Sequence, residues 1–549
     1  MISQDALGGP ECLTPDVLIV GSGPIGAVFA RKLIDSVKDI KVLMVDIGEQ
    51  GSRLIGDHKK NNIATQRDIN RFTSSIQGAW SPLSVAESTA TLNLNPVSWP
   101  ASNPQFVRNN QNPAQRFHDN LPAAVAVREV GGMGGYWTCC TPEQHPEIER
   151  PDIFSDEEWR MLYDDARSLF RTDDTLFDHS IRQDLIKKTL CRANPGRRFI
   201  CMPLAGQRSA KNPEYVEWTA TAQILGEAAD PKYGGGKFEL KTQHCCTSLR
   251  VDPTTGQVIE AKIKDLLTDE DVIVKAKKYV ICAGAVLTAG ILFASGIRPE
   301  TGYPALGHYL TEQTVSLCQV VLKKALIEST WDDPRSEEHA QKFPHDPLRI
   351  PFNDPDPQIT TPLSHEYPWH TQIHRDAFGY GAIPPEIDQR LVVDLRFFGY
   401  VKPVFENCVE FSSEVTDSYG MPQPTFHYRI SEDDAERSHA MMKDMVNLAS
   451  DLGGFLPGGE PRHITPGAAL HICGTTRAGK EDDGHSVINR YSKVWRVDNL
   501  YVGGSGVIPT QNASNPTLTA ACFAIIGAKK IAEELLESQS IHKLEKSRL

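Results

Sequence analysis

The chain has 549 residues, 40% of them hydrophobic and 23% charged, with a formal net charge of −13. That is too long for one small core, and the composition is that of an ordinary globular protein, so two interleaved domains are expected. The acidic balance excludes a general nucleic-acid or anionic-membrane partner, because phosphate surfaces need an excess of Lys and Arg, and no apolar run approaches the roughly 20 residues of a membrane span.

The first predicted strand is the apolar run Asp16-Val17-Leu18-Ile19-Val20, suited to a buried parallel strand. Gly21-Ser22-Gly23-Pro24-Ile25-Gly26 follows, then an amphipathic helix from Ala27 to Ile34. In this pattern Gly21 permits a tight turn, Gly23 lets the backbone approach a pyrophosphate, and Gly26 lets the helix sit against the strand. The helix N-terminus then offers free N–H groups to phosphate charge. A second strand, Lys41 to Val45, ends in Asp46, 20 residues after Gly26, where an acceptor for ribose hydroxyls belongs.

Further along, Lys278-Tyr279-Val280-Ile281-Cys282-Ala283-Gly284-Ala285 is another buried strand ending in a small-residue turn. Asn499-Leu500-Tyr501-Val502-Gly503-Gly504-Ser505-Gly506 is a third, and Asn515-Pro516-Thr517-Leu518-Thr519-Ala520 opens an apolar helix. Both FAD and NAD use the first fingerprint. Glycine turns returning from the far end of the chain suit a flavin held along its whole length, so FAD is expected. Asp394 and Arg396 alternate with Val393, Leu395 and Phe397, which gives a strand one polar and one apolar face. Trp331 to Pro368, rich in Pro, Asp and His, reads as a surface excursion. No internal repeat is present.

The 12 cysteines form no CxxC pair, and Cys139–Cys140 and Cys245–Cys246 are sequence neighbours. Met1 to Thr14 carries Asp5 and Glu11 without an apolar block, so no secretory signal is expected and the thiols are read as reduced and intracellular. Ser547-Arg548-Leu549 resembles the Ser-Lys-Leu peroxisomal address. His370 and His374 lack flanking Cys or Glu ligands, and no metal is expected. The sequon Asn512-Ala513-Ser514 lies inside the flavin region and is discounted.

Several ordered motifs together resemble the glucose–methanol–choline (GMC) oxidoreductases, and within them the pyranose oxidases, over nearly the whole chain. They are the Asp16–Asp46 fingerprint with Ile47-Gly48-Glu49, and His58-Lys59-Lys60-Asn61. Gly131-Gly132-Met133 with Trp137-Thr138-Cys139 and the run from His370 to Phe378 follow, then Asp394-Leu395-Arg396 and Asn515 to Ala520. The resemblance implies an α/β fold: a Rossmann-like FAD-binding domain of the GMC type with a second, antiparallel-sheet substrate domain. The FAD domain is expected to be discontinuous, from 1–60, 127–141, 245–315 and 465–549. The substrate domain takes 61–126, 142–244 and 316–464, with an oligomer-forming arm near 93–120 and hence a homo-oligomer.

The resemblance also assigns roles. His471 matches the family's catalytic histidine. An isolated histidine is more often structural, but this one precedes a Gly-Thr turn and stands 44 residues before Asn515, the second active-site position. A neutral imidazole accepts the hydroxyl proton. Asn515 is also well placed as a helix cap before Pro516, and the two roles coexist. Thr138 matches the hydroxyl near the flavin ring, although a β-branched strand residue is an equal reading. Gly21, Gly23, Gly26, Asp46, Gly132, Met133, Thr138, Gly284, Gly504 and Thr517 are expected at the cofactor. Gln372, Asp376, Tyr380 and Arg396 are expected at the substrate, with a structural Asp394–Arg396 ion pair as the alternative for Arg396.

One departure stands out. Tyr136 occupies the place of the histidine that bonds covalently to flavin in fungal pyranose oxidases, and Gly135 replaces the residue before it. The FAD is therefore expected to be non-covalent. The expected reaction is oxidation of a secondary hydroxyl of a pyranose sugar or glycoside to a ketone. Hydride goes to flavin N5, and O2 is reduced to H2O2. A glycoside 3-oxidase or a dehydrogenase using another electron acceptor stays open. So does a non-catalytic flavin protein, against which the joint presence of His471 and Asn515 argues.

Overall fold

The computed structural model describes residues 11–86, 111–230, 232–233, 236–374, 383–384 and 386–548. Asp376, Tyr380, Leu549 and most of the expected arm lie outside them.

The first layer is a five-stranded parallel sheet in the order Phe238–Lys241, Val42–Val45, Val17–Val20, Lys278–Ile281, Leu500–Val502. Its inner strands are short because each is an apolar run buried on both faces, as parallel strands covered by helices must be. Helix Pro24–Ser36, with Pro at its first turn and Gly23 as cap, buries Val28, Phe29 and Leu33. Helix Thr517–Arg548 packs against it. Gly26 is required at their junction with the turn: a Cβ there would stand 2.1 Å from the Gly21 carbonyl oxygen.

Two stretches expected elsewhere join this layer. Phe238–Lys241 belongs to the 142–244 piece assigned to the substrate domain, yet it forms an edge of the parallel sheet. Helix Asp156–Phe170, from the same piece, packs on helix Thr517–Arg548. It is fixed by a Ser155/Glu158 capping box and three acidic residues in its first turn. The expected boundary is corrected accordingly. A single four-residue edge strand alternating Phe-Glu-Leu-Lys carries no apolar run to mark it.

The second layer is a seven-stranded antiparallel sheet. Its order is Gly453–Phe455, Gln313–Leu322, Val392–Tyr400, Trp369–His374, Gln358–Thr361, Ile200–Cys201, with Arg462–His463 also paired to Gln313–Leu322. Helix Glu432–Leu452, started by a Ser431/Asp434 capping box, covers one face. Its Met441, Met445, Leu448 and Leu452 share a core with Val320, Leu395 and Phe397. Each such buried side chain contributes roughly 1.5–3 kcal/mol. The opposite face carries Gln313, Gln372 and Arg396.

The 331–368 stretch is not a plain excursion. Asp333 caps a helix at Pro334–Lys342, and Gln358–Thr361 is an interior strand of the antiparallel sheet. Its threonines hold it through side-chain bonds to Thr371, which hydrophobic patterning does not register. In the described part of the expected arm, Asn112 and Gln115 are buried against Pro424, Thr425 and Phe426 of the same chain. Among the described residues no helix is long and apolar enough to cross a membrane.

Candidate active site

Both layers direct their polar ends to one place. At the carboxyl ends of the parallel strands, four glycines face open space. Among the described residues, a Cβ on Gly284 or Gly504 would meet no atom within 4 Å, one on Gly23 only the Gly131 oxygen at 3.9 Å, and one on Gly132 only the Gly23 Cα at 3.8 Å. Gly21 differs: its Cβ would press on the Cys282 oxygen at 2.4 Å, so it is a packing glycine. A trough edged by missing side chains, beside the start of helix Pro24–Ser36, where no side chain caps the N–H groups, fits the phosphates and rings of FAD. Thr517 stands at the start of a second helix, and Met133 and Thr138 are partly exposed. Beside Thr138, Cys139 is held at φ +60°.

Asp46 does something that the spacing did not reveal. Its Oδ2 accepts from the Ser22 amide (2.8 Å) and hydroxyl (2.6 Å), and its Oδ1 from the Gly48 amide (2.8 Å). The Gly131 amide in turn donates to the Ser22 hydroxyl oxygen at 2.8 Å. Asp46 therefore ties the glycine turn to the second glycine segment. Burial pushes its carboxyl above the usual range, and the three donors pull the other way.

Tyr136 points away from solvent into a cluster with Phe72 and Ile76. Its hydroxyl donates to Glu129, whose other oxygen is paired with Lys59, and the Lys59 ammonium lies 5.5 Å from the Tyr136 ring centre. Burial, then the Glu129 carboxylate, push the phenol well above its ordinary pKa.

His471 sits on a loop pinned by an antiparallel bridge between Thr311 and Cys473. Leu470 before it is held at φ +61°, a conformation costing an L side chain roughly 1–2 kcal/mol. Strained residues of this kind concentrate at functional sites. The Asn515 amide nitrogen lies 3.2 Å from His471 Nε2. Gln372 donates to Asn515 Oδ1 at 2.8 Å, and Arg396 donates to Gln372 Oε1 at 2.8 Å. The register of their strands sets Gln372 directly opposite Arg396. Asp394, on the same strand face, accepts from Gln319 at 3.0 Å. Four of the residues singled out from sequence thus form one hydrogen-bonded chain, Arg396–Gln372–Asn515–His471.

Burial, then the positive Arg396 and the neighbouring His370, depress the His471 imidazole to about 3. The ring is neutral across the physiological range, and its Nε2 presents a lone pair that the Asn515 amide meets at 3.2 Å. Phe398 flanks it at 5.7 Å between ring centres.

Sequence reasoning missed several neighbours. His370 lies 3.3 Å from the Gln372 amide nitrogen. Gln313 Oε1 is 2.8 Å from His471 Nδ1. Glu312 is buried with both oxygens 3.3 Å from the His471 amide, and burial pushes it to about 8. Glu149, pushed to about 7 by burial, accepts from the Ala513 amide at 2.6 Å and braces the loop ahead of Asn515. The only sequence signal for the Glu312-Gln313 pair is its position, opening a ten-residue strand that is otherwise largely apolar.

A GMC oxidoreductase C-terminal family model matches residues 403–524. The chain belongs to the GMC oxidoreductases, FAD-dependent enzymes acting on CH–OH donors. Within that family it is 44% identical to the pyranose 2-oxidase of Emericella nidulans, over 96% of this chain and 93% of that one. It is 31% identical to the C-glycoside 3-oxidase of Arthrobacter globiformis, over 95% of each. Among solved structures, formate oxidase of Aspergillus oryzae shares the fold with a TM-score of 0.64 at 13% identity, covering 95% of this chain and 99% of that one.

Proposed function

We propose that this enzyme oxidises a secondary hydroxyl of a pyranose sugar or glycoside to a ketone. The observation that supports it most directly is the pairing of a neutral His471 Nε2 with the Asn515 amide at 3.2 Å, beside the glycine-edged trough. The 44% identity to a pyranose 2-oxidase supports the sugar as substrate class. A glycoside 3-oxidase is the second reading, supported by the 31% identity to the C-glycoside enzyme.

FAD, when bound along Gly23, Gly132, Gly284 and Gly504, supplies the hydride acceptor. His471 Nε2 takes the hydroxyl proton. Asn515 holds the substrate oxygen through its amide N–H while remaining uncharged. Gln372, itself held by Arg396, holds Asn515 from behind, and Gln372, Arg396, Asp376 and Tyr380 are proposed as sugar contacts. Thr138 is proposed beside the flavin ring, with Asp46 and Thr517 at the nucleotide end. The electrons then pass to O2, giving H2O2, or to another acceptor.

The FAD is proposed to be non-covalent. Tyr136 stands where the linking histidine belongs in the fungal enzymes, and its hydroxyl is committed to Glu129. The 93–120 segment is proposed as an oligomer contact. Ser547-Arg548-Leu549 is proposed as a peroxisomal address, testable by whether a reporter carrying Lys546–Leu549 leaves the cytosol.

The reaction is tested with a panel of pyranoses and glycosides under anaerobic conditions, reading bleaching of the oxidised flavin band near ~450 nm, then re-oxidation by air. Failure of every pyranose and glycoside to bleach the flavin would sink the proposal.

A further inference from the structure

We propose that Gln313 is the positioning residue of the base: it holds His471 in the tautomer with its proton on Nδ1 and joins the base mechanically to the loop carrying Asn515. This rests on His471 being the base. Gln313 is the first residue of strand Gln313–Leu322 and is buried. Its amide nitrogen lies 2.8 Å from the Asn512 carbonyl oxygen and 2.8 Å from that of Ser514. Carbonyl oxygens only accept, so both amide protons are used there and the orientation of the Gln313 amide is fixed. The oxygen must then face His471 Nδ1, at 2.8 Å, and an amide oxygen only accepts, so Nδ1 carries the proton.

The other end of the site leans the same way, more weakly, because its last contact, Asn515 to Nε2, is 3.2 Å against 2.8 Å for Gln313 to Nδ1. A guanidinium only donates, so Arg396 fixes the oxygen of Gln372, whose nitrogen fixes the oxygen of Asn515, whose nitrogen faces Nε2. His370 extends this set. Its Nε2 receives the Gln372 amide at 3.3 Å, and its Nδ1 faces the Thr360 hydroxyl at 3.4 Å, which itself donates to the Thr371 carbonyl. Two chains of one-way donors and acceptors therefore meet at a single imidazole and leave only Nε2 to accept a proton.

The two carbonyls that Gln313 grips belong to Asn512 and Ser514, immediately ahead of Asn515. The same loop is braced by Gln144, donating to Asn512 Oδ1 at 3.0 Å, and by Glu149. One side chain thus sets both the protonation site of the base and its separation from the amide beside it. Among the described residues, the titratable or charged groups facing His471 are Glu312 at its backbone, His370 and Arg396. None of these offers Nδ1 an acceptor in place of Gln313.

The test uses FAD-loaded enzyme with [15N]histidine and needs no substrate. His471 is assigned by its loss in His471→Ala. Wild type should show a pyrrole-type Nδ1 and a pyridine-type Nε2. Gln313→Leu should mix or invert that pattern. With a reducing sugar in hand, Gln313→Leu should slow anaerobic flavin reduction about tenfold, the effect of one net hydrogen bond, with little change in sugar affinity. Gln313→Glu keeps an acceptor at Nδ1 but adds charge, and should move the acid limb of the reduction rate to higher pH, which a merely structural role would not do. A pyridine-type Nδ1 in wild type overturns the proposal whether or not any variant folds. An unchanged pattern in a flavin-loaded Gln313→Leu also overturns it. The expected nitrogen pattern without reduction by any sugar would leave the positioning role standing and defeat the sugar-oxidase reading instead.

Discussion

Replacing His471 with alanine removes the proposed proton acceptor and should leave the glycine-edged trough intact. General-base assistance is worth about 10²–10⁴-fold, equivalent to about 2.7–5.5 kcal/mol of barrier. The loss should appear in the anaerobic half-reaction, where flavin reduction by sugar is followed directly and oxygen chemistry cannot mask it. The same substitution strips Gln313 Oε1 of its donor and Phe398 of a ring neighbour. A stability cost of about 1–3 kcal/mol accompanies an orphaned buried polar group, so flavin content and melting temperature are measured alongside the rate. Asn515→Ala loses orientation rather than the acceptor. A hydrogen bond to a group that gains charge in the transition state is worth about 1.5–3 kcal/mol, so its loss should be about 10- to 10²-fold. Because burial depresses His471 to about 3, the wild-type reduction rate should stay level from neutral pH to well below 6.5. Wild-type-like anaerobic reduction in a fully flavin-loaded His471→Ala would refute the assignment of the base.

Three further outcomes follow from other parts of the molecule. Gly23→Val should fold but lose FAD, since the protein leaves room for a Cβ there (nearest atom 3.9 Å) and that room belongs to the cofactor; a flavin-saturated variant would show that the trough is elsewhere. Acid precipitation should release yellow FAD into the supernatant, because Tyr136 is committed to Glu129; colour retained in the pellet would contradict non-covalent binding. His58 should make the fold acid-labile: its ring nitrogens face the Trp137 carbonyl oxygen (2.9 Å) and the Lys60 amide (3.0 Å), a pattern only the neutral ring satisfies. Its folded pKa is depressed from 6.5 to about 3, chiefly by burial, so the unfolded chain binds the extra proton and stability falls as pH drops from 6.5 toward 3. The contribution is about 1.4 kcal/mol per pH unit within that window. Glu149 and Glu312 have raised values and act oppositely, costing stability as pH rises above 4.5. Urea midpoints against pH for wild type and His58→Asn should differ in slope below 6.5; parallel curves would contradict this.

The nucleotide layer was legible because its signals are local. An apolar tetrad, a glycine turn and a helix start lie within one short window; Val17–Val20 falls where the pattern set it, and the helix expected from Ala27 to Ile34 runs from Pro24 to Ser36. Phe238–Lys241 and Gln358–Thr361 were not legible, since one is an amphipathic edge and the other a threonine-rich strand held by side-chain bonds. In the site, Gln372, Arg396, His471 and Asn515 could be named from motifs, and they meet in one hydrogen-bonded chain. Gln313 and Glu149 could not, because their partners lie 158 and 364 residues away and their roles exist only after folding. Asp46 was placed by spacing, but its bond to Ser22 depends on how the glycine turn closes.

The strand order of the parallel sheet also sets a timetable for biosynthesis. Lys278–Ile281 lies between Val17–Val20 and Leu500–Val502, so one of its flanks waits for the far end of the message. At roughly 5–20 residues per second, Leu500–Val502 leaves the ribosome about 25–100 s after Val17–Val20. For the last part of that interval, about 11–44 s after its own synthesis, the edge of Tyr279-Val280-Ile281 that later takes Leu500–Val502 has no strand beside it, the kind of apolar edge that recruits other chains. Gly504 and the start of helix Thr517–Arg548, two walls of the trough, arrive later still. On the proposed placement of FAD, the cofactor can be held along the whole trough only after residues 500–517 have been made.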